Sequence, residues 1–378
     1  MHVSSGPPDP RVVIAHERFT EYAGSEAVVE QLARQWPDAP LLAPVHRPGT
    51  FPPELEGRIR STPLSRLVRG DRYAHLLPLL PWAMRHLPIP DCDVVIASHH
   101  AFATQVVHAT SRPVVAYVHS PARWVWDPSM REGEAGPRGQ AALAAFSAAF
   151  RPADLRAAAR VHTLVANSRA VAERIRSWWG REATVVHPPV DTDFYTPDDG
   201  VTREDFFLLA GRLVPYKRPE LAVRAANRAG VPLVVVGDGR ARAEVERLAG
   251  PTVRVVGRVD DAELRDLYRR CRALVMPGLE DFGIVPVEAQ ACGAPVVALD
   301  AGGARDSVVP GGTGQLVPVT GGTEEVDAWA ECLERFDASA YDPREVRRHA
   351  EGFSRARFRA AMTGVVRAAA GNGVSRGH

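Results

Sequence analysis

Short β-branched runs recur along the first half of the chain: "RVVIAH" from 11, "DVVIAS" from 93, "PVVAYVH" from 113, "TLVANS" from 163 and "TVVHPP" from 184. Between them lie amphipathic patterns such as "SEAVVEQLARQW" from 25 and "RAVAERIRSWW" from 169. Near-continuous apolar strands alternating with such helices predict a parallel sheet covered on both faces. The second half repeats the alternation with "FFLLAG" from 206, "PLVVVGD" from 232, "VRVVGRV" from 253, "ALVMPG" from 273 and "PVVALD" from 295. Helical stretches such as "RPELAVRAANRA" and "DAELRDLYRRC" follow its strands. The fold class predicted is α/β, with two doubly wound, Rossmann-like domains.

Pro, Asp and Gly accumulate over residues 187 to 205, where the apolar period vanishes. The expected division is an N-terminal domain over 1–195, a C-terminal domain over 196–352, and a last helix and tail over 353–378. Whether that helix packs back on the first domain is left open. Ligands of open α/β sheets bind outside the carboxyl ends of the strands, so two such domains facing each other make a cleft. Functional residues are therefore sought just after strands.

Composition removes several functions. A net charge of +1 gives no electrostatic case for nucleic acid as a partner. The four cysteines, Cys92, Cys271, Cys292 and Cys332, show no CxxC spacing and read as reduced thiols. No basic and apolar leader opens the chain, and no run approaches the roughly 20 apolar residues of a membrane span. The expectation is a cytoplasmic protein. The basic and apolar stretch over 58–87 leaves two readings: interior packing, or a peripheral contact with the inner membrane face.

Four strand ends carry polar chemistry. "FFLLAGR" runs into "LVPYKRPE", which puts Arg212 and Lys217 in a strand-to-helix loop where two cations suit a diphosphate. Lys217 is also the sole lysine among 46 Lys and Arg residues. In "PGLEDFGIVPVEAQACGAPVVALD", Glu280 and Glu288 flank the start of a helix at Phe282, Gly283 and Ile284. Gly283 permits close backbone approach, and the unpaired amides of the first turn can donate to phosphate or sugar oxygens. Glu288, inside the helix, suits a pair of ribose hydroxyls. In "HERFTEYAGSEAVVE" the first strand turns through Gly24 into a helix start, which suits an anion or simply a tight turn. In "AYVHSPARWVWD", His119 follows a buried strand.

Together these segments resemble the retaining glycosyltransferases of the GT-B fold, in the large family 4 that also holds sucrose synthases and bacterial mannosyltransferases. "GRLVPYKRPE", "VVVGDG", "VRVVGRV", "EDFGIVPVEAQACGAPVVALDAGG" and "GGTGQLV" follow that family's C-terminal pattern in order across residues 206 to 318. "YVHSPARWVWD" is similar to bacterial enzymes that transfer mannose or a related hexose. The resemblance implies that Arg212 and Lys217 hold a nucleotide diphosphate, that Glu280 reaches the donor sugar and that Glu288 binds the ribose. It assigns amides at Phe282, Gly283, Ile284 and Val285 to sugar and phosphate, the backbone around Arg258 and Val259 to the base, His119 to the transferred sugar and Gly24 to the diphosphate. Ala23, where a second glycine is frequent, and Asp306, where glutamate is usual, depart from the pattern.

The implied activity is a retaining, metal-independent transfer of a hexosyl group, mannosyl favoured. The donor is a nucleotide-diphosphate sugar, GDP-mannose or a UDP-sugar, with no separate cofactor. The acceptor is a hydroxyl of a sugar, a lipid-linked sugar or a small natural product. The alternatives are a nucleotide-sugar-binding protein without turnover and an epimerase of the same architecture. Asp91-Cys92-Asp93 and Asp191-Thr192-Asp193 spell the acid-x-acid motif of metal-dependent transferases, but neither follows a strand, and turn formation accounts for them better. "VVVGDGRARAEV" has Arg242 where a dinucleotide fingerprint needs its third glycine, which argues against an NAD oxidoreductase. His99 and His100 have no zinc-ligand spacing and read as a polar wall.

Overall fold

A computed structural model describes residues 9–68, 76–128 and 137–374. Residues 69–75 of the basic and apolar stretch, and the tail beyond the last helix, lie outside the described residues. The chain forms two compact units, Met1–Pro189 with Phe358–His378, and Val190–Arg357. The crossings thus fall at Pro189/Val190 and Arg357/Phe358 rather than at 195/196 and 352/353.

The first unit contains β1 (Val12–His16), β2 (Arg18–Phe19), β3 (Leu41–Ala43), β4 (Val45–His46), β5 (Ile59–Ser61), β6 (Val94–His99), β7 (Val114–Val118), β8 (Thr163–Ala166) and β9 (Thr184–Val185). Seven of them form a parallel sheet in the order β5-β3-β1-β6-β7-β8-β9, while β2 and β4 pair separately. Alternation explains why these strands read as unbroken apolar runs. Ile14, Ile96, Val115 and Tyr117 enter the core on one face. Val13, Ala15, Val95, Ala97, Ala116 and Val118 enter the core on the other. From Phe358 onward the helix Arg355–Val374 belongs to this unit, and Phe358, Met362, Val366 and Ala369 make one apolar stripe against the first face.

The second unit contains β10 (Phe207–Ala210), β11 (Leu233–Val236), β12 (Val253–Gly257), β13 (Ala273–Met276), β14 (Val296–Leu299) and β15 (Gly314–Val317). All are parallel, in the order β12-β11-β10-β13-β14-β15, again with a core on each face. Strand order reverses between β1 and β6 in one unit and between β10 and β13 in the other. Such switch points open a crevice at the carboxyl ends of the strands.

Several elements escape the sequence pattern. β3 and β5, of three residues each, are too short to show a period. The helix Pro137–Arg160 is rich in alanine and carries Pro152 inside, so it shows no sharp apolar stripe.

The loops after β10 and β11 are pressed together. A Cβ on Gly237, whose φ is +131°, would stand 1.8 Å from the Gly211 carbonyl oxygen. Gly237→Ala is therefore expected to cost about 2–4 kcal/mol, because neither the backbone strain nor the clash can be relieved by a side-chain movement. Gly321→Ala, where a Cβ meets nothing within 4 Å, should stay within about 0.5 kcal/mol of wild type. Thermal and denaturant melts of the two variants check the contrast.

Candidate functional site

Lys217 ends a short 3-10 turn, Pro215–Lys217, that follows β10. Its position is enforced from two sides. Arg218, the one non-glycine residue with positive φ among those described, adopts φ 54° at the start of the helix Pro219–Ala229. That left-handed conformation is disfavoured for a side chain. It is held because both terminal guanidinium nitrogens of Arg218, Nη1 and Nη2, donate to the buried Glu325 carboxylate, at 2.5 and 2.6 Å. From the other side, a Cβ on Gly278 would lie 2.5 Å from the Lys217 Cα, so only glycine lets the loop after β13 approach.

The same loop carries Glu280. Lys217 Nζ lies 2.8 Å from Glu280 Oε1, an ion pair of two half-buried groups. Its angle leaves that oxygen without a hydrogen bond. Arg212 is exposed beside them and donates to the Tyr216 hydroxyl at 3.2 Å. Gly211, Arg212, Lys217 and Glu280, with Met276 and Pro277, line one small concavity at the ends of β10 and β13. Two cations beside a carboxylate that already faces one of them can meet a phosphate and a hydroxyl together once that ion pair opens.

Glu280 is fixed by two glycines, Gly302 and Gly303, whose role the apolar sequence pattern does not announce. Gly303 N–H donates to the Glu280 carbonyl at 2.9 Å. A Cβ on Gly302 would stand 2.3 Å from that carbonyl oxygen, and one on Gly303 would stand 2.2 Å from the Phe282 Cα. A paired glycine separated by two residues from the end of a strand, here β14, is the signal that marks such an approach. Phe282 itself is buried against Phe353. Gly283, with φ 87°, is the N-cap of the helix Ile284–Ala291, so the first-turn amides at Ile284 and Val285 lack helical partners.

Glu288 lies one face deeper in that helix, where the hydroxyl of the buried Tyr268 donates to its Oε2 at 3.2 Å. Burial pushes the Glu288 carboxyl up to about 7; Asp261 and Asp191 add to the shift, while Tyr268 and Lys217 oppose it. Arg258 and Val259 follow β12; the Arg258 side chain is 82% exposed, with Nε 3.8 Å from Asp238. It lies at the rim of the sheet, so a base contact there falls to the backbone.

In the first unit, His119 follows β7 and its Nε2 lies 2.9 Å from Ser98 Oγ. Burial pushes its imidazole down to about 4, which keeps it neutral near pH 7, with one donor and one acceptor nitrogen. His100 and Tyr117 flank its ring at 6.5 and 5.2 Å. Two carboxylates unassigned by sequence organise these strand ends. Glu17, after β1, accepts backbone N–H bonds from His100, Ala101, Phe102 and Ala103. Burial raises the Glu17 carboxyl, but His100, His99 and those amides outweigh it and hold it at about 2. Glu26 pairs with the buried His16 at 3.2 Å and also accepts from the Ala23 N–H at 3.1 Å. Gly24 opens the helix Gly24–Gln35 as expected, but the amide before it is already occupied and a carboxylate sits at its first turn. That charge opposes an anion there.

The acid-x-acid pairs serve other ends. Asp91 and Asp93 bind Arg11 at 2.7 and 3.0 Å, and Asp191 binds Arg355 at 2.7 Å. Among the described residues no group of three or more His, Cys, Asp or Glu is arranged to hold a metal ion, and no helix is long and apolar enough to cross a membrane.

Two parallel, doubly wound units with polar clusters at their switch points define a GT-B architecture, and comparison with solved structures agrees. Sucrose-phosphate synthase from Thermosynechococcus elongatus matches with a TM-score of 0.71 at 18% identity, over 94% of this chain and 98% of that one. Anabaena HepE, solved with UDP-glucose, matches with a TM-score of 0.68 at 20% identity, over 95% and 100%. Residues 22–194 match the model for Glycosyltransferase Family 4 and residues 196–345 the model for Glycosyl transferases group 1. The chain belongs to this family of GT-B glycosyltransferases. D-inositol 3-phosphate glycosyltransferases are similar in sequence. The protein from Mycobacteroides abscessus is 35% identical over 50% of this chain and 48% of its own. The one from Catenulispora acidiphila is 33% identical over 60% of each. The chain thus spans about half the length of the first relatives it matches.

The raised Glu288 carboxyl yields a pH test. A group whose folded pKa exceeds its unfolded value loses stability as pH rises between the two, here from 4.5 to about 7. Glu288→Gln, which cannot ionise, should melt at a temperature increasingly above wild type across that window, with the full advantage reached above it. Paired thermal melts from pH 4.5 to 8 read this directly, and a constant difference would show that the carboxyl is not perturbed.

Proposed function

We propose that the chain transfers a hexosyl group from a nucleotide-diphosphate sugar to a hydroxyl acceptor. The observation that carries this is the convergence of Arg212, Lys217 and Glu280 on one concavity, with the helix start at Gly283 directly beside Glu280. A leaving nucleotide diphosphate needs such a set. When the bond from the anomeric carbon to the phosphate oxygen breaks, its electron pair goes to the diphosphate and positive charge builds on the sugar. Lys217, Arg212 and the amides at Gly283, Ile284 and Val285 stabilise the departing anion, the dominant electrostatic contribution in such a site. With the diphosphate bound, Lys217 exchanges its carboxylate partner for phosphate, and Glu280 becomes available to sugar hydroxyls. Glu288 accepts from the ribose, and neutral His119 meets the transferred sugar.

In the reaction the acceptor oxygen bonds to the anomeric carbon and its proton passes to the leaving phosphate oxygen. Attack on the same face as departure gives retention. The relatives named for inositol 3-phosphate favour a polyol or sugar-phosphate acceptor, and the HepE complex with UDP-glucose favours a UDP-sugar over GDP-mannose. Thermal stabilisation by GDP-, UDP-, ADP- and dTDP-sugars separates the donors, since a ligand at about 100 times its Kd adds roughly 2.7 kcal/mol. Formation of a new glycoside from the stabilising donor then separates transfer from mere binding and from epimerisation.

Two outcomes are expected of the active protein. Lys217→Arg should fold normally but lose about 10-fold or more in kcat/KM, equivalent to roughly 1.4 kcal/mol, because the broad guanidinium does not fit between Gly211 and Glu280 as a compact ammonium does. Initial rates on the variant, with melts as the folding control, test it; wild-type kinetics would remove Lys217 from the leaving-group site. Transfer should also survive exhaustive EDTA treatment, and a loss restored by Mg²⁺ or Mn²⁺ would assign charge neutralisation to a metal instead.

A further inference from the structure

The segment after His119 ends in a single helical turn, Arg123–Trp126, too short to satisfy its own last carbonyls. One face of the helix Pro137–Arg160 satisfies them. Arg151 Nε donates to the Val125 carbonyl at 2.9 Å and Nη2 to the Trp126 carbonyl at 3.4 Å, with the guanidinium 5.4 Å from the centre of the Trp126 ring. One turn on, Asp154 is wholly buried, and its Oδ2 accepts two indole N–H bonds, from Trp126 at 2.8 Å and from Trp179 at 2.9 Å. The other oxygen, Oδ1, has no partner. Trp179 in turn packs edge-on against His99 at 5.2 Å, and the His99 carbonyl accepts the His119 N–H at 2.8 Å.

A buried carboxyl group is a costly means of joining two indoles if packing alone were required. Its position gives it a second effect. It reaches His119 by two routes, along the chain through the turn ending at Trp126, and across the sheet through Trp179 and His99. We propose that Asp154 is a positioning residue for His119, latching the segment His119–Trp126 to the helix Pro137–Arg160 so that the imidazole keeps one orientation. The inference rests on the proposed transfer reaction for its kinetic consequence, and on geometry alone for the latch.

The experiment compares full-length wild type with Asp154→Leu, which removes the acceptor, and Asp154→Asn, which retains one oxygen for both indoles. For Asp154→Leu, amide exchange across residues 119–126 should accelerate about 10-fold or more while β10 to β14 remain protected. Its kcat with the donor selected by stabilisation should fall about 10-fold or more, with the Kd for UDP or GDP unchanged within about 3-fold. Asp154→Asn should restore both protection and kcat. If Asp154→Leu does not fold, Trp126→Phe, which deletes one donor and preserves ring packing, must show the same fall in kcat. A lowered melting temperature with unchanged exchange and unchanged kcat per folded molecule would overturn the proposal and leave Asp154 a packing residue. An inactive wild type would instead sink the transferase reading, and the exchange result would still decide the latch.

Discussion

Lys217 and Glu280 stand 2.8 Å apart because β10 and β13 are hydrogen-bonded neighbours in a parallel sheet. Parallel pairing sends every strand end of the second unit to one edge, and the reversal of strand order at β10/β13 leaves a crevice there that no crossover helix fills. The rest of that site is built to exploit this contact. Gly278, Gly302 and Gly303 remove the Cβ atoms that would hold the loops apart, and Gly237 does the same between the loops after β10 and β11. Arg218 keeps its left-handed backbone only because buried Glu325 grips both of its terminal nitrogens. Local strain at Arg218, next to Lys217, is thus offset by a charged fork supplied from the helix Thr323–Arg335.

The two glutamates of the second unit show how place divides chemical roles between identical groups. Glu280 lies on a loop, opposite a lysine, with an oxygen that has no hydrogen bond. Glu288 lies within a helix, against the Tyr268 hydroxyl, in surroundings that raise its pKa to about 7. The first suits a partner that changes during a reaction; the second suits hydrogen bonding to neutral hydroxyls, which a carboxyl near its pKa can accept or donate. The ends of β1 and β6 in the first unit apply the opposite electrostatics. Two buried acids there, Glu17 and Glu26, are held ionised by amides and histidines and serve to fix those strand ends. His119, kept neutral by burial, is the group left to hydrogen-bond a polar ligand in either direction.

The class of the fold and most of the second-unit residues were legible in the sequence, because strand alternation and the loop chemistry after β10 and β13 are local properties. Gly283 announced a helix start, and it is one. Gly24 also announced one, yet its setting was invisible: the Glu26 carboxylate that occupies the turn is held by His16, a residue of the preceding strand. The helix Pro137–Arg160 shows the same limit. Its alanine-rich face has little period of its own, and Asp154 acquires meaning only where two tryptophans from other elements meet it.

The sequence by itself determined two parallel α/β units, the glycine-bearing turns and the polar residues at strand ends, since these follow from the period of apolar positions and from backbone sterics within a few residues. Tertiary structure decided which charges answer one another. The pairing of Lys217 with Glu280 and of Arg218 with Glu325, the opposite shifts of Glu17 and Glu288, and the joint hold of Asp154 on two indoles all depend on distance and desolvation between residues far apart in the chain. Neither quantity is encoded in local pattern; both arise only when the sheet sets its strand ends side by side.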